Sequence, residues 1–327
     1  MRRIVRAARA SLWTLVFPLV ACRTGISLSD PDGGDGAPPT CLGPKGARDV
    51  VANLDAPFGS PLAILPDGDR LYVVTNTLYL LRVALTPGSP VQIIGGAGCP
   101  PKAFATDDAY LYETCPDTAQ VARVAKNGTT TTLIPDQSNA AGIAADGHGA
   151  AYWTIASSDG SMRMANFSGA LPVDYPAAPP LARAMLYNGD RLYVSGDREL
   201  LAFDLANPGA PALVAQRCDG QLLTLGGTSL LCTEDDTIVR VRTDTPEATV
   251  IATLPGSARE LVVGGGRAFV RIERYANRPG PSNVMSIPLD GVGGPTFLPI
   301  PPNAQSLASD ACSLYYATDR TIERWGF

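Results

Sequence analysis

The sequence predicts an all-β fold, a seven-bladed β-propeller whose last blade is closed by a strand from the N-terminal side. Three observations predict it. One pattern of apolar stretch, tight turn and aromatic-bearing strand recurs seven times. The recurrences lie about 40 residues apart, the period of a four-stranded blade. The last recurrence lacks one strand, and a surplus strand stands before the first.

The turns are marked by Asp67, Asp107, Asp146, Asn188, Gly226, Gly264 and Asp310. The matching strand positions are Tyr72, Tyr112, Trp153, Tyr193, Leu231, Phe269 and Tyr315, separated in turn by 40, 41, 40, 38, 38 and 46 residues. The offset from turn to strand residue is five in six units and seven in the third, where Asp146-Gly147-His148-Gly149 lengthens the turn. A second strand follows in each unit, as in Tyr79–Val83, Gln120–Val124 and Thr237–Val241, with the apolar-polar alternation of a sheet that has two different faces. A short β-branched strand comes next (Val91–Ile94, Thr130–Ile134, Thr249–Ala252). Each unit thus holds four strands, named A to D from the axis outward. The seventh has no fourth strand after Thr321–Trp325, and Asp49–Leu54 is expected to supply it, which also covers an exposed edge. The large aromatics are expected to pack between blades. Composition agrees: 45% apolar residues, 33 Gly and 29 Pro suit many short strands joined by tight turns.

Tyr152-Trp153-Thr154 with Ser161–Met164, and Leu71-Tyr72-Val73-Val74 with Leu78–Val83, resemble secreted bacterial propellers of the NHL and YVTN-repeat kind. The resemblance covers most of the chain and implies the fold; a shared fold does not imply a shared function.

The N-terminus reads as an export signal. Arg2, Arg3, Arg6 and Arg9 precede the uncharged apolar run Ala10–Ala21, which is too short to span a bilayer comfortably. Its end, Leu19-Val20-Ala21-Cys22, resembles the lipobox of bacterial lipoproteins. That resemblance implies a signal peptide over 1–21 and an acylated Cys22, with 22–40 as lipidated N-terminus and flexible linker and 41–327 as the propeller. The expected location is the bacterial cell envelope, lipid-anchored in the outer membrane, with the periplasmic or surface side open. Asp30–Gly36 lacks the terminal bidentate acid of an EF-hand and reads as linker.

Six cysteines follow Cys22, an even number that suggests three disulfides in an exported chain. Cysteines alone permit about 15 pairings. The blade pattern narrows them. Cys99 and Cys115 flank one A–B hairpin, and Cys218 and Cys232 flank another. Cys41 and Cys312 remain, and strand closure brings both to one face of blade seven.

Net charge is −5; without residues 1–21 and their four Arg, 22 basic residues face 31 acidic ones, or −9. Such a chain lacks the basic footprint of a nucleic-acid-binding protein. The single histidine, His148, falls in an A–B turn, which argues against a histidine triad or a histidine acid or base at the axial mouth. No phosphate-cradling glycine loop, nucleophile elbow or paired C-x-x-C occurs. The B–C turns hold Asp117, Asp159, Asp197, Asp235, Asp236 and Asp319. Asp is a favoured turn residue, but a ring of carboxylates could also hold calcium. The longest B–C loop, with Tyr275, Asn277 and Arg278, is where a rigid scaffold places recognition. The reading is a non-catalytic, membrane-anchored binding platform for a protein, peptide or glycan, with no cofactor. The alternative is a metal-dependent hydrolase, lactonase or lyase with a top-face carboxylate site.

Overall fold

The structure, a computed structural model, describes residues 45–158, 160–175, 178–207, 209–226, 228–245, 247–273 and 283–327. Seven four-stranded antiparallel sheets form a seven-bladed propeller. The innermost strands are Pro61–Asp67, Ala103–Thr106, Ala140–Ala145, Ala184–Asn188, Leu222–Gly226, Ser257–Gly264 and Ser306–Ser309. Each lies against the innermost strands of both neighbouring blades, and that of blade 7 lies against that of blade 1, so the ring is closed.

Closure is made as expected. The outer strand of blade 7 is Arg48–Asn53, paired antiparallel to Thr321–Gly326 from Arg48↔Trp325 to Asn53↔Thr321. It begins and ends one residue earlier than the sequence reading; just beyond it Leu54 still donates its N–H to the Arg320 carbonyl at 2.7 Å. Opposite charges match across the seam: Arg48 Nε donates to Glu323 at 2.5 Å, and Arg324 donates to Asp49 at 2.6 Å.

The apolar core lies between blades rather than within them. Tyr72, Val74, Leu80 and Ile94 of blade 1 pack on Leu111 and Val124 of blade 2. Tyr193 and Leu200 of blade 4 pack on Leu230 and Val239 of blade 5. The repeat aromatics are buried as expected, Trp153, Tyr112 and Phe269 completely. In blades 2 and 7 the turn residue and the aromatic five positions later also bond to each other. Tyr112 Oη donates to Asp107 at 2.6 Å, and Tyr315 Oη donates to Asp310 at 2.7 Å. The other oxygen of each Asp accepts turn N–H groups, from Ala109 and Tyr110 or from Cys312 and Ser313. One carboxylate thus shapes the turn and satisfies a buried phenol, which a core tyrosine needs. The longer turn of blade 3 commits Asp146 to the N–H groups of His148 and Ala150, and Trp153 donates instead to Gln137 at 3.0 Å.

B–C turns and D–A connections lie at one face, here the top; A–B and C–D turns lie at the bottom. Lys126, in a C–D turn of blade 2, bonds Asp67, in the A–B turn of blade 1, at 2.6 Å along that bottom face. The chain enters there too, with Gly46 N–H on the Gly326 carbonyl at 2.8 Å. No helix among the described residues is long and apolar enough to cross a membrane.

Candidate functional site

Near the top of the channel, successive blades are linked by side-chain hydroxyls on strand B. Thr114 donates to the Ala141 carbonyl at 2.8 Å, Thr154 to Ala182 at 3.2 Å and Ser195 to Gly220 at 2.6 Å, each reaching the next blade. Thr114 and Thr154 also accept an N–H from their own inner strand, from Ala103 and Gly142. These two hydroxyls use donor and acceptor together.

Blade 6 breaks the pattern. The position two beyond the repeat residue, a hydroxyl in blades 2, 4 and 5 (Thr114, Ser195, Thr233) and apolar in blades 1, 3 and 7, is Arg271. Arg271 Nε donates to Glu260 at 3.0 Å, and the other oxygen of Glu260 accepts from Ser306 of blade 7 at 2.8 Å. Ser306 Oγ in turn accepts the Ile64 N–H of blade 1 at 3.2 Å. A charged bridge therefore replaces the hydroxyl. Burial pushes the Glu260 carboxyl up, against the opposing pull of Arg271 and its other hydrogen bonds.

Beside this bridge the top face opens into a cleft of about 380 Å³, lined by Arg259, Arg271, Ile272, Glu273, Asn283 and Pro302. Arg259 pairs with Glu273. Asn283 donates to the Ala304 carbonyl at 3.0 Å, while its Oδ1 is buried without a hydrogen-bond partner among the described residues. A buried orphan acceptor is costly. The cleft wall carries two guanidinium groups with more donors than their carboxylate partners use. A separate cleft of about 400 Å³, between the closing strand and the Gly88–Val91 turn, lies on the outer wall and is lined mainly by backbone and apolar groups.

The carboxylates expected at the top face are dispersed. Asp117 lies in a short 3-10 turn, and Asp197 and Asp235 hold left-handed turn positions, with φ of 44° and 49°. Asp235 sits 3.9 Å from Arg198. The backbone carbonyls of Asp235 and Asp236 accept N–H groups from Ala258 and Leu254. Asp319 accepts from Gln305 at 2.7 Å and Asn303 at 3.4 Å. Among the described residues no three His, Cys, Asp or Glu side chains converge as a metal site. The Asp219 carboxyl is pushed up by burial and, after that, by Asp235. His148 lies in its bottom-face turn, exposed.

Cys99 bonds Cys115 and Cys218 bonds Cys232, with Cα separations of 5.6 and 5.7 Å, as hairpin spacing predicts. Cys312 is also disulfide-bonded. Cys22, Cys41, Asp159, Tyr275, Asn277 and Arg278 lie outside the described residues. The sequence reading missed Arg259, Glu260, Arg271, Asn283 and Ser306. One signal was available: an arginine two places beyond the repeat position, where blades 2, 4 and 5 carry a hydroxyl and blades 1, 3 and 7 an apolar residue.

No family model matches the chain, and no curated protein matches it in sequence. Solved structures do match in fold. Virginiamycin B lyase from Staphylococcus aureus superposes with a TM-score of 0.67 at 12% identity, over 84% of this chain and 98% of that one. A streptogramin B lyase structure gives 0.64 at 14%, over 85% and 96%. The WD40 propeller domain of Doa1 gives 0.62 at 11%, over 84% and 96%. At these identities the likeness establishes the propeller fold alone.

Proposed function

We propose that the chain is an exported, lipid-anchored envelope propeller that binds a protein, peptide or glycan, without transforming it, at the top-face cleft of blades 6 and 7. One observation carries this reading: Arg259, Arg271 and Glu273 line one top-face cleft together with Asn283. The two guanidinium groups and the Glu273 carboxylate bring hydrogen-bonding groups of both kinds to one cleft, as recognition of a polar ligand requires. Among the described residues, the cleft lining contains no serine, cysteine or histidine. The anchor rests on the lipobox-like Leu19–Cys22.

The test is a screen of the oxidised propeller on peptide and glycan arrays. Ligands of the wild type are expected to lose at least about tenfold in affinity, about 1.4 kcal/mol, with Arg259→Glu. The bottom-face variant His148→Glu is expected to retain them. Equal loss in both variants, or in neither, overturns the site. Turnover of the bound ligand together with one tightly held calcium per chain would favour the hydrolase, lactonase or lyase alternative.

A further inference from the structure

We infer that the bottom face of the propeller rests on the bilayer, with Leu171 and Val292 immersed in its interfacial zone. The inference deepens the anchored-platform reading and rests on it.

Turn tips are ordinarily polar, because turns are solvated and their residues bond to the backbone. Two C–D turns depart from this. Leu171 is 87% exposed and Val292 is 75% exposed, the two most exposed large apolar side chains described; the next, Ile93 and Val173, reach 56% and stand on outermost strands. Both tips are built. Val292 sits between Gly291 and Gly293, which adopt φ of 75° and 94°, and its N–H bonds Asp290 at 2.9 Å. Leu171 follows Gly169, with φ of 93°, in a turn whose Phe167 is buried under Arg123 at 5.0 Å. That turn therefore sends one apolar side chain inward and one outward. Residues 166–172 and 291–295 carry no charge.

The occupant follows from where the chain enters. Residues 45–47 join the fold at this same face, beside Gly326, so the proposed anchor at Cys22 lies only 23 residues before Lys45. Blades 3 and 6 are separated by two blades on one side of the ring and three on the other. Two tips so placed, with entry at blade 7, support a disc lying flat. Two apolar side chains are too few to bind a membrane alone. An acyl anchor raises their effective concentration at the surface, which makes a weak contact persistent. The same face carries Asp69, Asp190, Asp204 and Asp290, and the chain without residues 1–21 has a net charge of −9, so the contact is apolar and does not depend on anionic lipid.

The test uses the lipidated full chain in phosphatidylcholine vesicles, with nitroxides at Leu171→Cys and Val292→Cys and a top-face control at Asn303→Cys. Flotation shows anchoring; collision with oxygen against a water-soluble nickel chelate reads depth. Labels at 171 and 292 are expected in the lipid phase and the label at 303 in water, unchanged by adding phosphatidylglycerol. To exclude an effect of the label's own hydrophobicity, a label at His148→Cys is read with and without Leu171→Asp and Val292→Asp; the double change is expected to move it outward. Flotation with both tip labels in water overturns this inference alone. Labels in water on vesicles but shielded in native envelope would assign the face to a protein and also overturn it. Failure to float overturns the anchor reading and this inference with it.

Discussion

Arg48 in the strand that opens the fold bonds Glu323 in the strand that ends it, at 2.5 Å across 275 residues of sequence. Glu323 also accepts from Tyr316 at 2.8 Å and Thr321 at 3.0 Å. Burial raises its carboxyl, but the bonds from Arg48, Tyr316 and Thr321 outweigh that effect and hold it below the ordinary carboxylate range. A depressed carboxyl stabilises the fold above its unfolded pKa, and that stability is lost as pH falls through the folded value. Glu323→Gln is expected to cost about 1–3 kcal/mol at neutral pH and to flatten the acid limb of the stability curve, read by urea denaturation across pH.

Glu113 is expected to behave in the opposite sense. It is 1% exposed, its Oε1 accepts the Gly98 N–H at 2.9 Å, and its Oε2 has no partner among the described residues. Burial pushes the carboxyl up to about 7, so the folded protein holds a proton that the unfolded chain releases near 4.5. Stability then falls as pH rises between those values. Glu113→Gln is expected to match wild type near pH 4 and to exceed it by about 1–3 kcal/mol at pH 8, measured by denaturant midpoints at both pH values.

The interblade hydroxyls make a third prediction. Thr154 accepts from Gly142 and donates to Ala182, so Thr154→Val keeps the shape and strands two buried groups. The expected loss is about 2 kcal/mol, with Thr154→Ser recovering most of it, read as a thermal midpoint shift.

Non-reducing peptide mapping is expected to recover Cys99–Cys115 and Cys218–Cys232, both present in the structure, and Cys41–Cys312 as the third bond. A bond between Cys41 and Cys312 would close a loop of about 270 residues, for which chain entropy alone gives about 5 kcal/mol before strain. Mapping Cys41 to Cys22 instead would remove the proposed staple at the bottom of blade 7.

Cys22→Ala is expected to release the protein from membranes or to block its processing, assayed by fractionation and N-terminal mass. A variant that is processed normally and still sediments with membranes would refute lipid anchoring.

The propeller was legible from the sequence because a blade is a local object. Four strands, three turns and a buried aromatic lie within about 40 residues, so turn chemistry and alternation repeat where they can be compared. The closing strand was legible for the same reason: a unit one strand short and a strand without a unit imply each other. The hairpin disulfides followed from spacing inside one A–B pair. What only the tertiary structure decided lies between blades. Glu260 meets Arg271 within one hairpin, yet its role depends on Ser306, 46 residues later, and on Ile64 at the other end of the chain. Whether Leu171 and Val292 are buried or exposed depends likewise on which neighbour packs on each turn. A repeat announces that blades stack, because each has an apolar face it cannot bury alone. Which polar groups the stacking leaves without a partner among the described residues, such as Asn283 Oδ1, is settled only when three-dimensional neighbours have taken theirs.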